Sequence, residues 1–81
     1  MRIRLLFFAL YRDIAGTGSL EYDLPRGATA ADLLERVRGQ GGGFARLPAQ
    51  PVVAINLEYA PLDSTLADGD EVALIPPGAG G

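Results

Sequence analysis

The 81-residue sequence predicts an α+β domain in which a mixed sheet of four to five strands packs on one main helix. Three observations predict it. Apolar residues alternate with period two near both ends of the chain, one capped helical pattern follows an expected hairpin, and Gly, Pro and Asp punctuate the intervals. A chain of this length holds one domain, close to the lower size at which an apolar core stabilises a fold without disulfides or metals.

Residues 2–8 open the sheet, with Ile3, Leu5 and Phe7 on one face and Arg2, Arg4, Leu6 and Phe8 on the other. The second face is only half polar, so Leu6 and Phe8 call for a cover. After a loop at Gly16-Thr17-Gly18, Leu20, Tyr22 and Leu24 alternate with Glu21 and Asp23 as a second strand, ended by Pro25-Arg26-Gly27. Thr29-Ala30-Ala31-Asp32 reads as a capping box, and Leu33, Leu34 and Val37 share one helical face that stops at Gly39. Gly41-Gly42-Gly43 reads as a flexible linker rather than a phosphate cradle, since no Lys follows it and no strand precedes it. Val52 to Asn56 forms a third strand. Tyr59-Ala60 with Leu62 adds a short edge strand after a turn at Asn56-Leu57-Glu58. Asp68-Gly69-Asp70 turns into the last strand, residues 71–75, where Val72 and Leu74 face one way and Glu71, Ala73 and Ile75 the other. Joining the hairpin to this strand through a helix sets the first and last strands side by side and parallel. The domain therefore spans residues 1–75, and residues 76–81 form a flexible tail.

Composition excludes several functions. With no Cys and no His, the chain has no thiolate nucleophile and no side chain whose ordinary pKa lies near neutrality. All seven basic residues are Arg, so side-chain amines are missing too, and a self-contained enzyme is not expected. A net charge of −3 with scattered arginines argues against nucleic acid and favours partners with basic surfaces. Asp63, Asp68, Asp70 and Glu71 miss the calcium-loop spacing and are assigned to turns, so no metal site is expected. The apolar run Leu5 to Leu10 is too short for a signal peptide or membrane span, which leaves a cytoplasmic protein as the expectation.

What remains is the end of the chain, Pro76-Pro77-Gly78-Ala79-Gly80-Gly81. Two prolines make a stiff root and the small residues a bare tip, suited to threading a narrow channel. The one functional group at that tip is the Gly81 carboxylate.

Leu6-Phe7-Phe8-Ala9, Tyr11-Arg12 and Gly16-Thr17, together with Leu66-Ala67-Asp68-Gly69-Asp70-Glu71-Val72-Ala73, Pro76-Pro77 and Gly80-Gly81, resemble the small subunits of molybdopterin synthase. The resemblance spans the chain except residues 39–51. It departs at Gly78, where that family usually has Val after the proline pair. It implies a ubiquitin-like β-grasp fold and a sulfur carrier in molybdenum cofactor synthesis. An adenylating partner would use ATP and magnesium to activate Gly81. A sulfur-donor protein would convert it to a thiocarboxylate, and the tail, Pro76 to Gly80, would enter the synthase large subunit within a heterotetramer. Phe8, Tyr59 and Ile75 would form the apolar patch that meets these partners. This chain would bind no cofactor itself. Sulfur carriers for thiamine thiazole or cysteine synthesis share the Gly-Gly end, and a binding adaptor or protein modifier is the alternative of another class.

Overall fold

A computed structural model of the chain describes residues 1–78. Five strands form one mixed sheet: β1 (Arg2–Phe7), β2 (Ser19–Asp23), β3 (Val52–Ile55), β4 (Glu58–Ala60) and β5 (Glu71–Ile75), in spatial order β2-β1-β5-β3-β4. β1 and β5 run parallel at the centre, with Leu6 beside Ala73 and Phe7 beside Leu74; the other pairings are antiparallel. Since side chains alternate along a strand, this register puts Ile3, Leu5, Phe7, Val53, Val72 and Leu74 on one buried face.

Helix α2 (Ala30–Arg38) covers that face with Leu33, Leu34 and Val37, all at most 1% exposed. Its start is closed as the sequence predicts. Asp32 N–H donates to Thr29 Oγ1 at 3.2 Å, and Thr29 N–H donates to Asp32 Oδ2 at 2.9 Å. Two more first-turn amides, those of Ala30 and Ala31, donate to the carbonyls of Ser64 and Leu62, so a distant loop completes the cap.

Two expectations are corrected. Only one helix is expected, but residues 9–15 form a second, α1 (Ala9–Ala15), which buries Tyr11 and ends at Gly16 in the left-handed region (φ 76°). Gly16 N–H donates to Arg12 O at 2.9 Å, a satisfied C-terminal turn that a side chain would strain. The Gly41–Gly43 stretch is not a linker either. Gly42–Arg46 form a 3₁₀ turn packed against both helices, which directs Phe44 toward Phe7 (ring centroids 6.4 Å apart) and leads to the buried Leu47. Arg38 Nε donates to Leu47 O at 2.8 Å and ties this turn to α2. Gly41 and Gly42 take positive φ values of 78° and 57°, so the turn needs glycines there. No helix of the described residues is long and apolar enough to cross a membrane.

Candidate functional site

With helices on one face of the sheet, the opposite face is open, and it is divided. Toward the start of β1 it is charged: Arg2 donates to both Asp23 carboxylate oxygens at 3.1 Å, and Arg4 lies 3.9 Å from Glu71. Arg2, Arg4 and Asp23 are exposed and Glu71 is half-buried at the surface, so the pairs contribute little stability. Toward the end of β5 the face is apolar. The register sets Leu6, Ala73, Ala54 and Tyr59 side by side across β1, β5, β3 and β4, with Ile75 beside Val52 one step further on.

Short alanines between longer neighbours leave a hollow of about 290 Å³. Ala54 and Ala73 lie at its centre; Leu6, Phe8, Tyr59 and Ile75 surround them, and Leu57 and Glu71 complete the lining. Phe8 is 47% exposed and Tyr59 74%, so large apolar side chains here face solvent instead of the core. Phe8, Tyr59 and Ile75, three residues singled out by sequence, therefore line one concavity.

The means of placing Phe8 differs from the expectation. It lies one residue past β1 as the N-cap of α1, with extended backbone (φ −123°, ψ 153°), and the following Ala9 takes φ 47°. This corner swings the chain off the sheet and leaves Phe8 beside the end of β5. Leu57, Ala54, Ala73 and Glu71 were not singled out by sequence. The alternation that put Ala73 on the same face as Ile75 was the available signal for it, and the Asn56-Leu57 turn was the signal for Leu57.

The turn between β3 and β4 is braced to the start of β5. Asn56 N–H donates to Glu71 O at 2.8 Å, Glu71 N–H donates to Asn56 Oδ1 at 3.0 Å, and Asn56 Nδ2 donates to Asp70 Oδ1 at 2.9 Å. Asp70 also accepts from Ala67 N–H within its own turn, whereas Asp68 accepts from Arg2 N–H and ties that turn to the start of β1. The described residues contain no group of side chains suited to a metal ion. The groups with shifted acidity lie away from the hollow: the Asp23 hydrogen bond raises the Arg2 pKa, and burial raises that of Tyr22.

The tail begins at the apolar end of this face. Pro76 is buried, while Pro77 and Gly78 are exposed. Gly78 takes φ 76°, a region a Val at this position would enter only with strain. Ala79, Gly80 and Gly81, which carry the expected tip and its carboxylate, lie outside the described residues.

Comparison with known proteins follows the same outline. Residues 5–81 match the model of the ThiS family. The chain is 40% identical over 83 residues to the molybdopterin synthase sulfur carrier subunit of Chlamydomonas reinhardtii, covering 100% of both chains. Among solved structures, it matches the crystal structure of SAMP1 from Haloferax volcanii with a TM-score of 0.80 and 30% identity, covering 100% of both. It shares its fold, at TM-score 0.73 and 21% identity with 100% of both chains covered, with a chain in the complex of subunits 1 and 2 of molybdopterin-converting factor from Helicobacter pylori.

Proposed function

The chain belongs to the ThiS family and, within it, to the molybdopterin synthase sulfur carrier subunits, and from that membership we propose that it carries sulfur on the carboxyl group of Gly81 for molybdenum cofactor synthesis. The observation that carries the reading is the apolar hollow at the root of the tail, which gives a partner a place to hold the domain while the tail enters its active site. Orienting a terminal group in this way offsets a large part of a reaction barrier.

A carboxylate is a poor electrophile until one oxygen becomes a good leaving group. In the proposed first stage, an adenylating enzyme holding ATP and magnesium lets a Gly81 oxygen attack the α-phosphorus, and pyrophosphate leaves. A hydrosulfide equivalent from a sulfur-donor protein then attacks the acyl carbon, AMP leaves, and a thiocarboxylate remains. In the second stage the domain docks on the synthase large subunit, the thiocarboxylate sulfur bonds to a carbon of cyclic pyranopterin monophosphate, and water cleaves the acyl–sulfur bond, which returns the Gly81 carboxylate. Each carrier brings one sulfur, so a dithiolene consumes two loaded tails. The chain, with no Cys or His, supplies position and the carboxyl group, and its partners supply the catalytic side chains. The Helicobacter pylori complex pairs two subunits of a molybdopterin-converting factor, and a large-subunit partner is proposed here on that precedent. The proposed location is the cytoplasm, which supplies the ATP that adenylation consumes.

Intact-mass spectrometry tests the reading. Incubation with the cognate adenylating enzyme, ATP, magnesium and sulfur donor is expected to raise the mass by one oxygen-to-sulfur exchange. An unchanged mass with an enzyme of confirmed activity would sink it. The likeness to SAMP1, a small archaeal modifier protein, favours one second reading, in which Gly81 is joined to a target lysine. Covalent conjugates without a thiocarboxylate species would select that reading.

A further inference from the structure

Leu57 is the most exposed large apolar residue of the described chain, at 92%, and its backbone lies at φ 73°. It is the second residue of the two-residue turn between β3 and β4; Asn56, the first, lies at φ 51°. Hairpin turns with two positive φ values favour Asn-Gly, because Asn tolerates the left-handed region and Gly enters it freely. Asn56 fits this rule and Leu57 breaks it. A leucine there strains the backbone, and no packing offsets the strain, since Leu57 makes no part of the core or of the residues packed on it.

The turn does not depend on that side chain. Three hydrogen bonds hold it in place: Asn56 donates to Glu71 O and to Asp70 Oδ1, and accepts from Glu71 N–H. An apolar side chain is thus held outward on a rigid support, at the edge of a hollow whose other large walls are Phe8, Tyr59 and Ile75. The backbone that carries it is already ordered, so a partner that covers it restricts only the side chain itself.

We propose that Leu57 is a specificity-determining anchor for the synthase large subunit, seated in an apolar pocket of that subunit when the hollow is covered. The inference rests on the sulfur-carrier reading. Continuity decides the occupant: a partner that holds the tail root at Phe8 and Ile75 and spans the hollow to Tyr59 reaches Leu57 on the adjoining turn. On this proposal the leucine stands where the turn itself prefers glycine because the interface, not the fold, uses it.

Calorimetric titration of the cognate large subunit with the full-length chain and its variants tests this. Leu57→Asn and Leu57→Gly both suit positive φ and remove the apolar group. Each is expected to weaken binding roughly ten- to a hundredfold, the range for one buried leucine, while thermal midpoints stay level or rise. Leu57→Met, which keeps an apolar side chain of similar volume, is expected to bind within about threefold of the parent. Parental affinity in the Asn and Gly variants, alongside weak binding by Phe8→Asp, would overturn the role of Leu57 alone. Parental affinity in Phe8→Asp as well, or no binding by the parent, would overturn the docking reading itself. A lowered midpoint in Leu57→Gly would show that the leucine supports the fold and would also overturn the inference.

Discussion

Gly43 has a neighbour that leaves no room for a side chain: a Cβ built on it lies 2.5 Å from the carbonyl oxygen of Ile14. The obstacle is backbone, so it cannot rotate aside, and α1 or the 3₁₀ turn would have to shift. Gly43→Ala is therefore expected to destabilise the fold by roughly 1–3 kcal/mol, read from the midpoint of urea unfolding at unchanged slope. A change below about 0.5 kcal/mol, the scale of an ordinary surface substitution, would show that the contact relaxes freely. Three successive glycines look like a linker because composition reports freedom and says nothing of crowding. Leu57 was hidden for a related reason. Assigning Asn56-Leu57-Glu58 to a turn leaves open which residue takes a positive φ, and only that detail marks the leucine as out of place. Ile75 was legible because strand alternation alone decides its face.

The two helices differ in how openly their ends are written. Thr29 and Asp32 make a reciprocal cap that spacing alone predicts. Thr29→Ala removes the acceptor for Asp32 N–H, and a loss of about 1 kcal/mol is expected in chemical denaturation. A loss near zero would mean that the Ser64 and Leu62 carbonyls secure the helix start by themselves. α1 offers fewer marks: seven residues, no side-chain cap at Phe8, no acidic residue in its first turn, and an exposed Leu10 that interrupts the apolar stripe. Gly16 and the spacing of Phe7, Tyr11 and Ile14 were its available signals. The strand alternation running through Phe8 outweighed them, since a seven-residue helix holds too few turns to establish a period.

At the scale of the whole molecule, the order of elements conveyed the topology, because a hairpin, a crossover helix and a final strand leave few ways to close the sheet. The hollow was less accessible, as it depends on Ala54 and Ala73 meeting across two strands more than a dozen residues apart in sequence. The proposed chemistry, by contrast, lies wholly beyond the sheet. Deleting Gly81, or adding a residue after it, is expected to abolish sulfur transfer and leave the thermal midpoint and large-subunit affinity unchanged, measured by a transfer assay beside melting and calorimetry. Full transfer by either variant would show that the terminal carboxyl is not the working group. The tail is joined to β5, and β5 lies between β1 and β3. A partner that tugs on the tail loads both hydrogen-bond ladders lengthwise, so their bonds resist together rather than opening one after another from an edge. The domain is in this sense a handle fastened through its middle.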